Sequence, residues 1–431
     1  MKTRGLTRMT AIALFAALAI PVGLAAAEQQ QQQAEMFDRY TVIDLGTLGG
    51  TYSIGFGVNN RGWVNGGATL QGDTVVHASL WHDGVLTDLG TLGGPNSNSF
   101  FPLNEKGEVG GLSDTSTPDP NGEDFCGFGT YLICLPFVWK NGVISPLPTL
   151  GGNNGQALEV NNRGQVAGEA ENTTPDPTCA PPQVFQFKPV VWDKRQVREL
   201  PTFPGDPDGI AGEINDKGQA AGGSGNCSSN VFAHALLWQS GTATDLGNLG
   251  GTMNNVAEDI NNRGQVVGAS DLPGDTIAHA FIWQNGVMTD LGTLPGDVAS
   301  GATGINDRGQ VVGNSTDAGG NNRAVLWQNG VVADLNALIP AGSGLFLLGA
   351  SGGINSRGQI AGFALQINSG EIHAFLASPS NDAPNSDGVT VAPAGIRERP
   401  TVVLPENVRT LLQRRLALRY RIASRANASA N

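Results

Sequence analysis

Three acidic residues stand out by position. Glu159, Glu213 and Asp259 fall at one place in three consecutive copies of a repeated motif, two residues before an Asn, where four other copies carry Gly57, Pro102, Gly304 and Gly353. Carboxylates brought together in an arc could hold a hard cation such as Ca²⁺, or flank a sugar as an acid/base pair. The plainer alternative is three solvated carboxylates, or three paired with local amides. A second set is basic: Arg61, Lys106, Arg163, Lys217, Arg263, Arg308 and Arg357 each precede the Gly of the same motif. A ring of one sign recruits anions, whereas lone surface cations are solvated or locally bonded. His77, His234, His279 and His373 share another repeat position. In separate repeats they cannot converge on one metal, and they read as hydrogen-bonding caps. No nucleophile elbow, phosphate loop, zinc-spaced His pair or Ca²⁺ loop is present.

The elements that must position these residues come from the repeat itself. INNRGQVVG at Ile260 returns as INDRGQVVG at Ile305, VNNRGQVAG at Val160 and INSRGQIAG at Ile354, and more loosely at Val58, Leu103 and Ile214. Each copy reads as strand, Gly turn, strand. A variable loop follows, then a third strand such as HAFIWQ, a two-residue hairpin such as Asn285-Gly286, and a fourth strand. Four short antiparallel strands in ~45 residues is the pattern of a propeller blade. Trp81, Trp139, Trp192, Trp238, Trp283 and Trp327 mark the third strands and read as packing between blades.

Counting strands predicts closure. The last unit ends at His373–Ala377 without a fourth strand, while YTVIDLG at Tyr40 is a fourth strand with no third before it. Pairing the two makes an all-β fold, a seven-bladed β-propeller of four-stranded antiparallel blades whose N-terminal strand completes the last blade. Strand direction then puts all seven basic residues around one end of the channel. It puts Asp114, Asp119, Glu123, Asp124, Glu169, Glu171, Asp176, Asp271 and Asp275 on the opposite, loop-bearing face. Innermost strands line the channel, which is where the carboxylate arc is expected.

Outside the repeats, residues 1–27 read as a signal peptide: a basic start, a short apolar run, and small residues at Ala25 and Ala27. Residues 28–39 are a Gln-rich linker, 40–378 the repeats, 379–396 a Pro/Ser/Asn-rich linker, and 397–431 a basic tail, disordered or a short helix. The net charge is −13, and removing the basic leader and tail leaves the body at −20. That charge argues against nucleic acid as a partner. Export permits disulfides. Cys126 and Cys134 lie in one inserted loop, and Cys179 and Cys227 in the loops of the next two units. Cys126–Cys134 and Cys179–Cys227 are the pairings with the least loop-closure entropy, and they staple the loop face either into a rim for recognition or simply against proteolysis.

DLGTLGG at Asp44 and Asp88, DLGNLGG at Asp245, the repeated Asn-x-Arg-Gly turns, and HAFIW at His279 resemble bacterial extracellular HAF-repeat proteins. The resemblance spans Tyr40 to about Ser378 and implies a secreted tandem-repeat protein, without an assigned activity. Two units depart from it, reading FKPVVW and NRAVLW, so the His is dispensable to the repeat. The expectation is a secreted, non-catalytic binding or scaffold protein, periplasmic or extracellular, without a cofactor unless the arc holds Ca²⁺. Its partner would be an extracellular protein, glycan or small molecule. The alternative is a propeller enzyme acting on extracellular carbohydrate through Glu159, Glu213 and Asp259.

Overall fold

The computed structural model describes residues 37–227 and 231–380; the leader, most of the Gln-rich segment, and the C-terminal linker and tail lie outside them. The fold is β-propeller-like and all-β, with 28 strands among the described residues. Five separate four-stranded antiparallel sheets and one eight-stranded sheet account for all of them. The unit carrying Glu159 is representative: Gly155–Val160, Val166–Pro175, Phe185–Asp193 and Gln196–Glu199 pair in sequence order.

The orphan strand pairs where the count placed it. Tyr40–Asp44 lies antiparallel to Ile372–Pro379, with Tyr40 opposite Pro379 and Asp44 opposite Phe375. Tyr40 is 1% exposed and Phe37, inside the segment expected as linker, is 8% exposed in the same apolar cluster. The Arg39 guanidinium also donates to the Ala337 carbonyl at 2.8 Å. The ordered body therefore begins at Phe37.

Why the turn is spelled seven times becomes visible in its Asn. In every copy the Asn Oδ1 accepts N–H groups two and four residues on, as Asn161 does from Arg163 and Gln165 at 3.0 Å each, which closes the turn. Its Nδ2 donates to the backbone carbonyl of the Asn in the next unit. The series runs from Asn59 to Asn104, Asn161, Asn215, Asn261, Asn306 and Asn355 at 3.0–3.2 Å. Asn355 then donates to the Asn59 carbonyl at 2.8 Å. The repeat thus encodes a clasp between neighbours, and its Gly supplies the positive φ of the turn, +77° at Gly164.

The His and DLG signatures turn out to be two halves of one contact. His77 meets Asp88 at 2.8 Å, His279 meets Asp290 at 2.9 Å, and His373 meets Asp44 at 2.8 Å. The same carboxylates cap their own Gly turns, for example Gly90 N–H on Asp88 at 2.7 Å. In NRAVLW, Arg323 replaces the His and keeps the pairing to Asp334 at 3.5 Å. His234 instead meets Asp206 at 2.8 Å and stacks on Phe203. His373 is held above its ordinary pKa of 6.5 by the hydrogen bond to Asp44, with burial opposing.

Both disulfides are present, Cys126–Cys134 and Cys179–Cys227, with Cα separations of 5.7 and 4.7 Å. The inserted loops that carry them do more than rim a surface. Phe125, Cys126 and Cys134 are buried in the central apolar cluster, with Phe128 and Cys227 packed against it. Replacing Cys179 and Cys227 by Ala should lower stability by ~2–4 kcal/mol, the range for a bridge closing a long loop. A thermal melt unchanged by that double substitution would show the loops to be held by packing alone.

Candidate functional site

The centre of the molecule is filled, not open. Ile54, Phe56, Phe100, Phe101, Leu158, Ile210, Val256 and Leu348, from the innermost strands and the residues continuing them, form one buried cluster. Phe56 and Phe100 meet edge to face at 5.2 Å. On the turn face the expected channel opens as a pocket of about 170 Å³. Residues of all seven units line it, among them the seven Asn of the clasp.

Glu159 and Asp259 line that pocket and are half-buried, while Glu213 beside them is 1% exposed. Glu159 and Asp259 each reach for the neighbouring innermost strand. A Glu159 carboxylate oxygen accepts from the Ile214 N–H, and Asp259 Oδ2 accepts from the Ile305 N–H at 2.6 Å. The equivalent target of Glu213 would be the Ile260 N–H, but Asp259 Oδ1 already holds it at 2.6 Å. Glu213 instead interacts with Glu159. Two neighbouring carboxyls are held together more easily when one keeps its proton than when both ionise. Burial raises Glu159 to about 8, the Glu213 hydrogen bond partly opposes it, and the charges of Asp259 and Asp216 add to the rise.

The opposite arc shows why its positions are small. A Cβ on Gly57 would lie 2.3 Å from Pro102 Cα, and one on Gly353 would lie 2.9 Å from Val58 N. Adjacent strands touch directly there, whereas the carboxylates bridge wider gaps elsewhere.

The basic residues do not line this pocket; its mouth carries Glu105, Asp216 and Asp307. Arg61 lies 5.3 Å from the Trp63 ring centre, Lys106 donates to the Asn162 carbonyl at 3.1 Å, and Arg163 and Arg357 donate to Gln165 and Gln359 at 2.7 Å. The Arg308 guanidinium reaches over Gly358 of the next turn. Lys217 and Arg263 border a separate cleft further out. Side-chain length explains the difference, because these residues follow the inward-facing Asn and extend sideways over the neighbouring turn.

The acidic loop face also needs correction. Asp114, Asp119, Glu123, Glu169, Glu171, Asp176 and Asp271 are all buried, with only Asp124 and Asp275 partly exposed. These carboxylates fasten loops. Asn154 Nδ2, for example, donates to Asp119, Glu123 and Glu171 at 2.9–3.0 Å. Asp208 is raised to about 8 by burial and by a hydrogen bond and charge from Asp176. Among the described residues, one trio of metal-ligating atoms lies within 4.8 Å of one another: Cys179, Cys227 and Asp208. Its sulfurs are bonded to each other. Also among those residues, no helix is long and apolar enough to cross a membrane.

No protein-family model matches the chain, and no curated protein matches it. Among solved structures, it is similar to a gluconolactonase from Xanthomonas campestris at 9% identity and TM-score 0.35, covering 80% of this chain and 96% of that one. It is also similar to a lectin from Aleuria aurantia in complex with Fucα1-6GlcNAc, at 9% identity and TM-score 0.37, covering 69% and 100%. TolB from Acinetobacter baumannii matches at 11% identity and TM-score 0.36, covering 84% and 69%. Likenesses this distant carry no argument about ligand or activity.

Proposed function

We propose that the chain is an exported, seven-bladed β-propeller of the HAF-repeat kind, closed by its N-terminal strand, that binds rather than transforms its ligand. The closed series of Asn-to-Asn hydrogen bonds and the pairing of Tyr40–Asp44 with Ile372–Pro379 support the closure. Two disulfides suit an oxidising compartment, periplasmic or extracellular. The observation that carries the binding reading is the axial pocket, walled by amides and by Glu159 and Asp259 and closed beneath by the Phe plug. At about 170 Å³ it is smaller than the ~300–1,000 Å³ of ordinary small-molecule sites. Its size and hydrogen-bonding wall suit one polyhydroxylated unit, such as the terminal sugar of a glycan.

The carbohydrate-cleaving alternative has weak support. Carboxyls that flank a glycosidic bond stand at least ~5 Å apart. Glu213 is 1% exposed and Glu159 already accepts from the Ile214 N–H, so the two do not face an open cleft as such a pair would. Calcium at the same arc would have to displace the proton that Glu159 keeps, so any stabilisation by Ca²⁺ should appear only towards pH 8. A glycan array read alongside turnover assays on the same sugars tests the proposal. Retention of a neutral glycan terminus that is lost in D259N, with no cleavage, is the expected outcome. Hydrolysis of any bound sugar, or neutral-glycan binding indifferent to D259N, would overturn it.

A further inference from the structure

On the turn face, away from the axis, a cleft of about 520 Å³ opens between the units carrying Glu159 and Glu213. It is lined by Arg163, Arg198, Lys217 and Arg263 with Gln165, Gln219 and Gln239, and by no carboxylate. Asp193, the nearby acid of the same unit, takes a hydrogen bond from Gln165 Nε2 at 3.2 Å. Four cations on a body of charge −20 are a concentration the overall composition opposes.

A departure from the repeat builds this cleft. Arg198 lies opposite Val191 in its hairpin, and the residues at the matching place in the other units are Thr87, Ser145, Thr244, Thr289, Ala333 and Ile43. One unit of seven thus has a long cation where the others have short or apolar side chains, and its guanidinium extends to within 3.8 Å of a Cβ placed on Gly241. The turn of the same hairpin breaks the rule as well. Five hairpins use a Gly at their second turn position, whereas this one has Lys194 and Arg195 at φ +50° and +69°. A non-Gly residue in that region costs roughly 1 kcal/mol, and a long basic side chain gains nothing there that Gly would lose. Arg195 spends one contact on the Pro146 carbonyl at 3.0 Å. Arg195 thus reaches towards the preceding unit, and of these two departures only Arg198 lines the cleft.

We propose that this cleft binds an acidic oligosaccharide, one bearing carboxylate or sulfate groups. Guanidinium forks match a carboxylate or sulfate through paired, charge-assisted hydrogen bonds. The interleaved Gln amides suit the hydroxyls between those groups. The volume is in the range that encloses a ligand of several sugar units rather than a lone ion. Nucleic acid is disfavoured, since the lining has no aromatic ring for a base to stack on and the body repels a long polyanion.

The test is binding of a fluorescent oligogalacturonate to the intact mature protein by anisotropy, with neutral dextran, inorganic phosphate and duplex DNA as comparators. R198T restores the residue found in three other units and leaves the repeat's packing intact. The expected results are binding that weakens with salt, a loss of tenfold or more in R198T at an unchanged melting temperature, and no response to D259N. Indifference to D259N also separates this cleft from the axial pocket, so either proposal can fail alone. No binding of the oligogalacturonate, equal binding by R198T, displacement by phosphate at equal concentration, or tighter binding of DNA would each overturn the assignment.

Discussion

Deleting Phe37–Leu45 will unfold the protein or reduce it to an aggregating species, while ending the chain after Ser380 will leave the body folded. The nine residues include Phe37, Tyr40 and Leu45, all buried, and the whole pairing with Ile372–Pro379. Burying each such side chain contributes ~1.5–3 kcal/mol. Their sum, above roughly 5 kcal/mol, is comparable with the entire stability of an ordinary domain. The His373–Asp44 contact and the Arg39 bond to Ala337 go with them. What remains is the last unit with a bare edge strand, a template for pairing with other chains. Thermal melting and size-exclusion chromatography of the two truncations give the answer. A strand deletion that melts like the full chain would refute closure.

The second large effect is an inverted pH dependence. Glu159 has its pKa raised from 4.5 to about 8, and Asp208 from 3.8 to about 8. In both, the folded state keeps a proton that the unfolded chain releases near pH 4. Stability from these groups is therefore full below their unfolded pKa values and is lost as pH rises towards 8. At ~1.4 kcal/mol per pH unit for each group, the decline amounts to several kcal/mol in order of magnitude. Asp176, held low despite burial by hydrogen bonds from Asp208 and Thr178, works in the opposite sense, but only below about pH 4. E213Q gives Glu159 an amide donor that needs no carboxyl proton, and D208N does the same for Asp176. Each should flatten part of the slope between pH 5 and 8 in urea melts, and together most of it. Equal slopes in wild type and the double variant would mean that these carboxyls are hydrated in solution and ordinary in acidity.

How much of this was legible in the sequence follows from what each feature depends on. Strand order, the hairpins, the missing fourth strand and the cysteine pairing depend on local periodicity, turn chemistry and loop length, which a linear sequence displays. The orphan at Tyr40 and the gap after Ala377 follow from the number of strands alone, and Tyr40–Asp44 pairs with Ile372–Pro379 accordingly. The shared repeat position of Glu159, Glu213 and Asp259 was equally legible. What they do there was not, because it depends on which N–H each finds across a gap between strands.

The tertiary structure decided where charge and space reside. Seven basic residues beside a turn look like a ring around a mouth, but their length carries them sideways, and the shorter Asn, Glu and Asp face the axis. Acidic residues in long loops look solvated, yet Asp119, Glu123 and Glu171 converge on Asn154 and are buried. The signal for the clasp was present in the invariance of the Asn, but partners some 45 to 57 residues apart become neighbours only once the sheets stand side by side. Local sequence fixes local conformation through turn and strand chemistry. Pockets and buried charge arise from the approach of distant strands, and only the packed fold determines that.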